Sequence, residues 1–184
     1  MKWAWRQGKL GKDFEKMRQK AADAGNLAHR MCECYLMDLP FEPQQGVPLD
    51  VMARAHNGFA GFLRWFKQSK MKPMACEFKL VSEKQRVGGT PDVMFWDDGV
   101  VRLGDFKTSK RVYADHLIQT VTYADIVEEV LGIHCESIEM LALGRESARF
   151  KHASWPVADL ALARQTFARL RELYDLKQAV EGLL

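Results

Sequence analysis

The dipeptide Asp98-Gly99 constrains the fold of this chain more than any other pair of residues. It stands between two apolar runs rich in β-branched and aromatic residues, "RVGGTPDVMFW" (86–96) and "VVRLGDFK" (100–107). Asp-Gly fits a two-residue type I′ turn, in which both central residues need positive φ. The two runs are therefore expected to fold back on each other as a hairpin. In that register Asp97 faces Val100, and counting outward brings Asp92 opposite Asp105. Their Cβ atoms would lie roughly 4.5–5.5 Å apart on one face. Lys107, two residues past Asp105, points the same way. A single bulge would make the direct pair a diagonal one and still leave the three residues close.

Two like charges opposed in a sheet destabilise it unless one is protonated or a cation lies between them. Met94, Trp96, Val101 and Leu103 share the face, so water is expected to give little help there. A divalent cation resolves the conflict, and carboxylate oxygens suit Mg²⁺ or Mn²⁺ better than a thiol-seeking metal. Such an ion lowers the pKa of a water and neutralises a phosphate oxygen. Lys107, a compact point charge, is suited to orienting that water or stabilising charge at phosphorus. Taken singly, each residue has an ordinary explanation, since strand-end aspartates often cap or turn and lysines usually reach solvent. Gathered on one strand-pair face, the three read as a site.

Helical periodicity extends from about 13 to 37, through Phe14, Met17, Ala21, Ala24, Ala28, Met31 and Tyr35. Gly25 interrupts it and is expected to mark a break between two helices. Prolines and a glycine make 39–48 a loop. A helix over 49–68 follows, with Phe59, Phe62, Leu63 and Phe66 toward the core. A strand over 74–82 precedes the hairpin. After it come a helix over 113–131, strands over 137–143 and 148–155, and a helix over 158–181 introduced by Pro156. This order predicts an α/β fold, a central mixed β-sheet of about five strands flanked by helices. The helix between the third and fourth strands allows a parallel crossover. With 184 residues, 47% of them hydrophobic, one domain over 1–184 is expected. Its parts are a helical segment over 1–37, a sheet over 74–155 and the helix 158–181.

No run of eighteen apolar residues occurs, so no membrane span is expected. The first residues lack the apolar stretch of a secretory signal, which points to the cytoplasm. Cys32, Cys34, Cys76 and Cys135 lack C-x-x-C spacing and are expected as reduced thiols. Net charge is only +3, but Lys2, Arg6, Lys9, Lys12, Lys16, Arg18, Lys20 and Arg30 crowd the first thirty residues. Against them stand Asp13, Glu15 and Asp23. Such a segment suits phosphates, although a solvated helix face is the commoner use of such a run.

The order "GGTPD … DFKT" resembles the PD-(D/E)XK nuclease superfamily, and within it the RecB-like exonuclease branch. "GNLAHRM" resembles that branch's first motif, here Gly25 and His29, and "QTVTY" its Q-x-x-x-Y motif, here Gln119 and Tyr123. The resemblance implies a restriction-endonuclease-like core. Within it Asp92 and Asp105 would ligate metal, the Phe106 carbonyl would add a ligand, and Lys107 would be the catalytic lysine. His29 would ligate from the N-terminal helix, and Glu77 would support the site from behind. Gln119 and Tyr123, one helical turn apart, would contact DNA backbone or buttress the strands.

The activity so implied is a DNA exonuclease using Mg²⁺ or Mn²⁺, expected as two ions, and metal-activated water. It would serve recombination, repair or replication in a bacterial cytoplasm, as compact phage or prophage exonucleases do. DNA would be held by its backbone with little base reading, and a recombinase or single-strand-binding protein is the partner class to consider. A structure-specific or nicking endonuclease is the alternative, and a non-catalytic DNA-binding subunit a third. Relatives from CRISPR systems carry cysteines near the C-terminus for an iron–sulfur cluster. Here Cys135 is the last cysteine, so no cluster is expected. No G-x-x-x-x-G-K-[ST] motif supplies unwinding. His56, His116, His134 and His152 are taken as structural, and Glu33 as a solvent-facing acid.

Overall fold

The computed structural model describes residues 13–42, 45–108 and 111–183. Helix α1 (Phe14–Leu36) begins at Asp13, whose carboxylate accepts from the Lys16 N–H at 3.1 Å and satisfies an otherwise orphan donor. Contrary to the sequence expectation, α1 runs through Gly25 without a break. A Cβ at Gly25 would lie 2.9 Å from Thr108 Oγ1, so the glycine serves close approach. Helix α2 (Leu49–Gln68) buries Val51, Ala55 and Phe62. The Phe62 ring meets Phe106 edge-on at 5.4 Å between centroids, a favoured aromatic geometry.

Seven strands and two more helices follow: β1 (Lys72–Cys76), β2 (Leu80–Ser82), β3 (Val87–Gly89), β4 (Val93–Asp97), β5 (Val100–Lys107), α3 (Ala114–Leu131), β6 (Cys135–Leu143), β7 (Phe150–Pro156) and α4 (Ala161–Glu181). A 3₁₀ turn over Val157–Leu160 leads from β7 into α4. Five strands form one sheet in the order β1-β4-β5-β6-β7. Only β5 and β6 pair in parallel, through the α3 crossover; β1–β4, β4–β5 and β6–β7 are antiparallel. The protein is thus α/β with a five-stranded mixed sheet between helices.

Two expected strands each divide. The run 74–82 breaks at Glu77, which takes φ 48° and ends β1. The run 86–96 breaks before β4, where Pro91 has no N–H for a ladder. The detached pieces β2 and β3 pair as a separate small ribbon. The hairpin register is the expected one, with Asp97 opposite Val100, Met94 opposite Leu103 and Val93 opposite Gly104. Asp98 and Gly99 take φ 45° and 94°, as a type I′ turn requires.

Helices α1 and α2 cover one face of the sheet, over Val93, Phe95, Phe106, Leu141 and Leu143. Helix α3 covers the other, over Met94, Leu103, Ile138 and Met140. Helix α4 lies outside, tied to α3 by Arg164 and Asp125 at 2.9 Å, and none of its residues is buried. Among the described residues no helix is long and apolar enough to cross a membrane. The four cysteines are free thiols. Of the N-terminal basic residues, Lys2, Arg6, Lys9 and Lys12 lie outside the described residues. Arg18, Lys20 and Arg30 are paired with Glu15, Asp50 and Glu33.

Candidate active site

The paired ladder stops at Val93, so Asp92 sits one step beyond it rather than in a direct cross-strand pair with Asp105. Its carboxylate instead closes over the strand end, where Oδ2 accepts from the Phe106 N–H at 2.6 Å. The backbone of Asp92 is also fixed, since its carbonyl accepts from the Glu77 N–H at 3.0 Å. That bond and the positive φ of Glu77 turn the Glu77 carboxylate toward Asp92. His29 arrives from α1 and stands edge-on to Phe106, with Nδ1 3.8 Å from Asp92 Oδ1. Donor atoms of His29, Glu77 and Asp92 all fall within 4.8 Å of one another. Glu77, expected to support the site from behind, brings a carboxylate oxygen into this cluster. The Phe106 backbone also touches the His29 ring, which keeps that peptide at the site.

Asp105 is 3% exposed at the centre of the sheet, an uncommon place for a carboxylate. Lys107 Nζ lies 2.8 Å from its Oδ1 and 2.7 Å from its Oδ2. The hydrogen bond goes to Oδ1, and the buried Oδ2 has the ammonium as its ion-pair partner. Lys107 Nζ also donates to Gln119 Oε1 at 3.1 Å, and Gln119 Nε2 donates to Tyr123 Oη at 3.0 Å. The α3 pair, expected to contact DNA backbone or buttress the strands, thus reaches the lysine through Gln119. Tyr123 can lie there because Gly89 has no Cβ, which would otherwise occupy the ring's space. Trp96, expected to dry this face, is 43% exposed, while Val101 and Leu103 are buried.

The electrostatics follow from this geometry. Burial raises the pKa of Asp92, opposed by the Phe106 N–H and by Lys107. Burial and the nearby Asp92 charge raise that of Asp105, opposed by Lys107. Glu77 is pushed up to about 7 by burial, then by Asp92 and Glu33. His29 is pushed down to about 4, chiefly by burial, so it is a neutral imidazole at neutral pH. Three acids that resist ionisation beside a neutral histidine suit a divalent cation. Asp105 Oδ2 accepts no hydrogen bond among the described residues and has the Lys107 ammonium 2.7 Å away as its charge partner. His29, Glu77 and Asp92 are the side chains whose donor atoms converge to fit such a cation, while Asp105 is tied to Lys107.

Several further residues bear on the site or the sheet around it. Glu33, read as solvent-facing, has its side chain 18% exposed, pairs with Arg30 at 2.6 Å and reaches Glu77 with its charge. Its position one turn after His29 was the available signal. His116 accepts from the Tyr113 N–H at 3.3 Å and feels the Lys107 charge from the start of α3. On the opposite sheet face, buried Glu139 accepts from Ser137 at 2.6 Å and Ser154 at 2.9 Å. Glu139 also pairs with His152 and lies 3.5 Å from Arg102. A lone acid in "SIEMLAL" was the sign of that network. No family model matches the chain, and no curated protein matches its sequence.

Proposed function

We propose that this protein is a metal-dependent DNA exonuclease that hydrolyses phosphodiester bonds. One observation carries the reading: the Lys107 ammonium, shared by Asp105 and Gln119, stands beside the converging donor atoms of His29, Glu77 and Asp92. His29, Glu77 and Asp92 would hold Mg²⁺ or Mn²⁺. When bound, the cation supplies Lewis acidity, neutralising phosphate oxygens and acidifying water.

The chain's own residues do the remaining work. An ammonium has three N–H donors, and two of Lys107's are committed to Asp105 and Gln119. Its positive charge would stabilise a phosphate oxygen, where charge grows as water attacks phosphorus. Gln119 and Tyr123 fix the lysine's position, so it does not have to be ordered during the reaction. The Phe106 N–H holds Asp92 against rotation. This reading carries with it DNA as substrate and a role in recombination, repair or replication in a bacterial cytoplasm.

The test is digestion of end-labelled linear and closed circular single-stranded DNA with Mg²⁺, Mn²⁺ or chelator. Linear DNA is degraded, circles are spared and chelator abolishes the reaction. Lys107→Ala and Asp105→Ala each lower the rate by about 10²–10³-fold while the fold persists. Full activity in both variants would sink the assignment. Circles cut as fast as linear strands would make the enzyme an endonuclease.

A further inference from the structure

The sheet register extends the site beyond its metal donors. Lys107 on β5 pairs with Ala142 on β6, and Ala142 pairs with Lys151 on β7. Residues in register across a sheet project from the same face. Lys151 therefore shares a cross-strand row with Lys107, about 9.5 Å away at two strand spacings. The residue between them is alanine, which leaves the row open above the sheet.

An open hollow of about 260 Å³ lies at the Ala142–Lys151 end of this row and reaches Thr108, next to Lys107 in the chain; Arg145 and Arg149 also line it. Lys151 and Arg149 are exposed, and among the described residues their side chains make no hydrogen bond or ion pair. Arg145 is spent on the Ala21 carbonyl at 3.2 Å, and the one acid in the lining, Glu146, lies 3.6 Å from Arg54. Gly144 lets the β6–β7 turn fold this tightly, since a Cβ there would lie 2.6 Å from the Ser147 carbonyl oxygen. A second hollow of about 740 Å³ shares Arg149 and Lys151 and continues to Arg64 and Trp65. Lysine on an edge strand commonly guards against pairing with other chains. That role explains neither the register with Lys107 nor two unpaired cations beside one hollow.

We infer that Lys151 and Arg149 hold the phosphates of a nucleic-acid strand next to the one presented to Lys107, so that the strand crosses the sheet from β5 to β7. This inference rests on the nuclease reading for its direction but not for the binding itself. Contacts of this kind fix position without reading bases.

The test is anisotropy of a labelled single-stranded oligonucleotide in chelator, where no cleavage intervenes, over a range of salt. The Arg149→Gln/Lys151→Gln variant binds about tenfold more weakly, and the slope of log K against log salt falls by about 1.4, at 0.7 per lost contact. An unchanged urea midpoint and Mn²⁺ affinity show that fold and donor set are intact. Wild-type affinity and slope in the variant would overturn the inference, as would a wild-type protein that binds no oligonucleotide. A loss of binding in the variant, with no cleavage by wild type under any metal, would keep the binding row and remove the nuclease reading. Cleavage by wild type with binding unchanged in the variant would do the reverse. Inorganic tripolyphosphate, added at equal phosphate concentration, displaces the oligonucleotide only weakly; efficient displacement would reassign the row to free polyphosphate.

Discussion

Gly25 offers a sharp test of how α1 is seated on the sheet. In an exposed helix interior, glycine to alanine gains about 1 kcal/mol through backbone entropy. At Gly25 the new Cβ would meet Thr108 Oγ1 at 2.9 Å and Cγ2 at 3.5 Å. Threonine is stiff at χ1, and displacing it from its rotamer costs about 0.5–1.5 kcal/mol. The two effects cancel, so Gly25→Ala leaves stability within about 0.5 kcal/mol of wild type. With Thr108→Ala already present the clash is gone and the same change stabilises by about 1 kcal/mol. The coupling between the positions is then about 1 kcal/mol, measurable by urea unfolding of the four proteins at a common m-value. His29 lies one turn beyond Gly25, so helix retreat in the single variant also weakens Mn²⁺ binding, and the double variant restores it. A full stabilisation by Gly25→Ala beside intact Thr108, with Mn²⁺ affinity unchanged, would refute close approach as the glycine's purpose.

Three further outcomes are expected. Glu77 sits at φ 48°, a conformation that costs a side-chain-bearing residue about 1–2 kcal/mol; Glu77→Gly therefore raises the urea midpoint while weakening Mn²⁺ binding, whereas Glu77→Gln weakens binding without that gain. Glu77 binds its proton more tightly folded than unfolded, so its contribution to metal-free stability is full below the ordinary glutamate value of 4.5 and lost as pH rises through about 7. Mn²⁺ must displace such protons, and calorimetry between about pH 5.5 and 7.5 shows affinity rising with pH and proton release falling; flat affinity would contradict it. Glu139→Ala takes the acceptor from Ser137, Ser154 and His152, while Arg102 keeps Asp97, and costs about 1–3 kcal/mol in unfolding experiments, although the residue lies across the sheet from the site.

The parts legible in the sequence are those set by neighbouring residues. Asp98-Gly99 demands its turn whatever surrounds it, so the hairpin register and the shared face of Asp105 and Lys107 followed from local chemistry. The α2 boundaries followed from a loop with prolines and an uninterrupted apolar period. Gly25 misled because its reason, Thr108, is distant in sequence and local rules give an isolated glycine only one reading. The strand over 86–96 was overdrawn although Pro91 carried a warning. Glu77 could not be seen to leave its strand, because no residue type announces a left-handed glutamate. The Lys107–Ala142–Lys151 row depends on the order of strands in the sheet, which periodicity does not encode.

The turn that sets the hairpin also bears on the order in which the site comes together. Asp92, Asp105 and Lys107 are joined by a two-residue loop, and closing so short a loop costs little chain entropy. His29 and Glu77 come from upstream elements and Gln119 from the downstream crossover, and these contacts close much longer stretches of chain. The mutually repelling carboxylates are thus near neighbours along the chain, while the groups that complete their environment are recruited from a distance. A cation that requires both sets binds only the finished tertiary structure. Under the proposed reading its free concentration would then enter directly into the folding equilibrium of the protein.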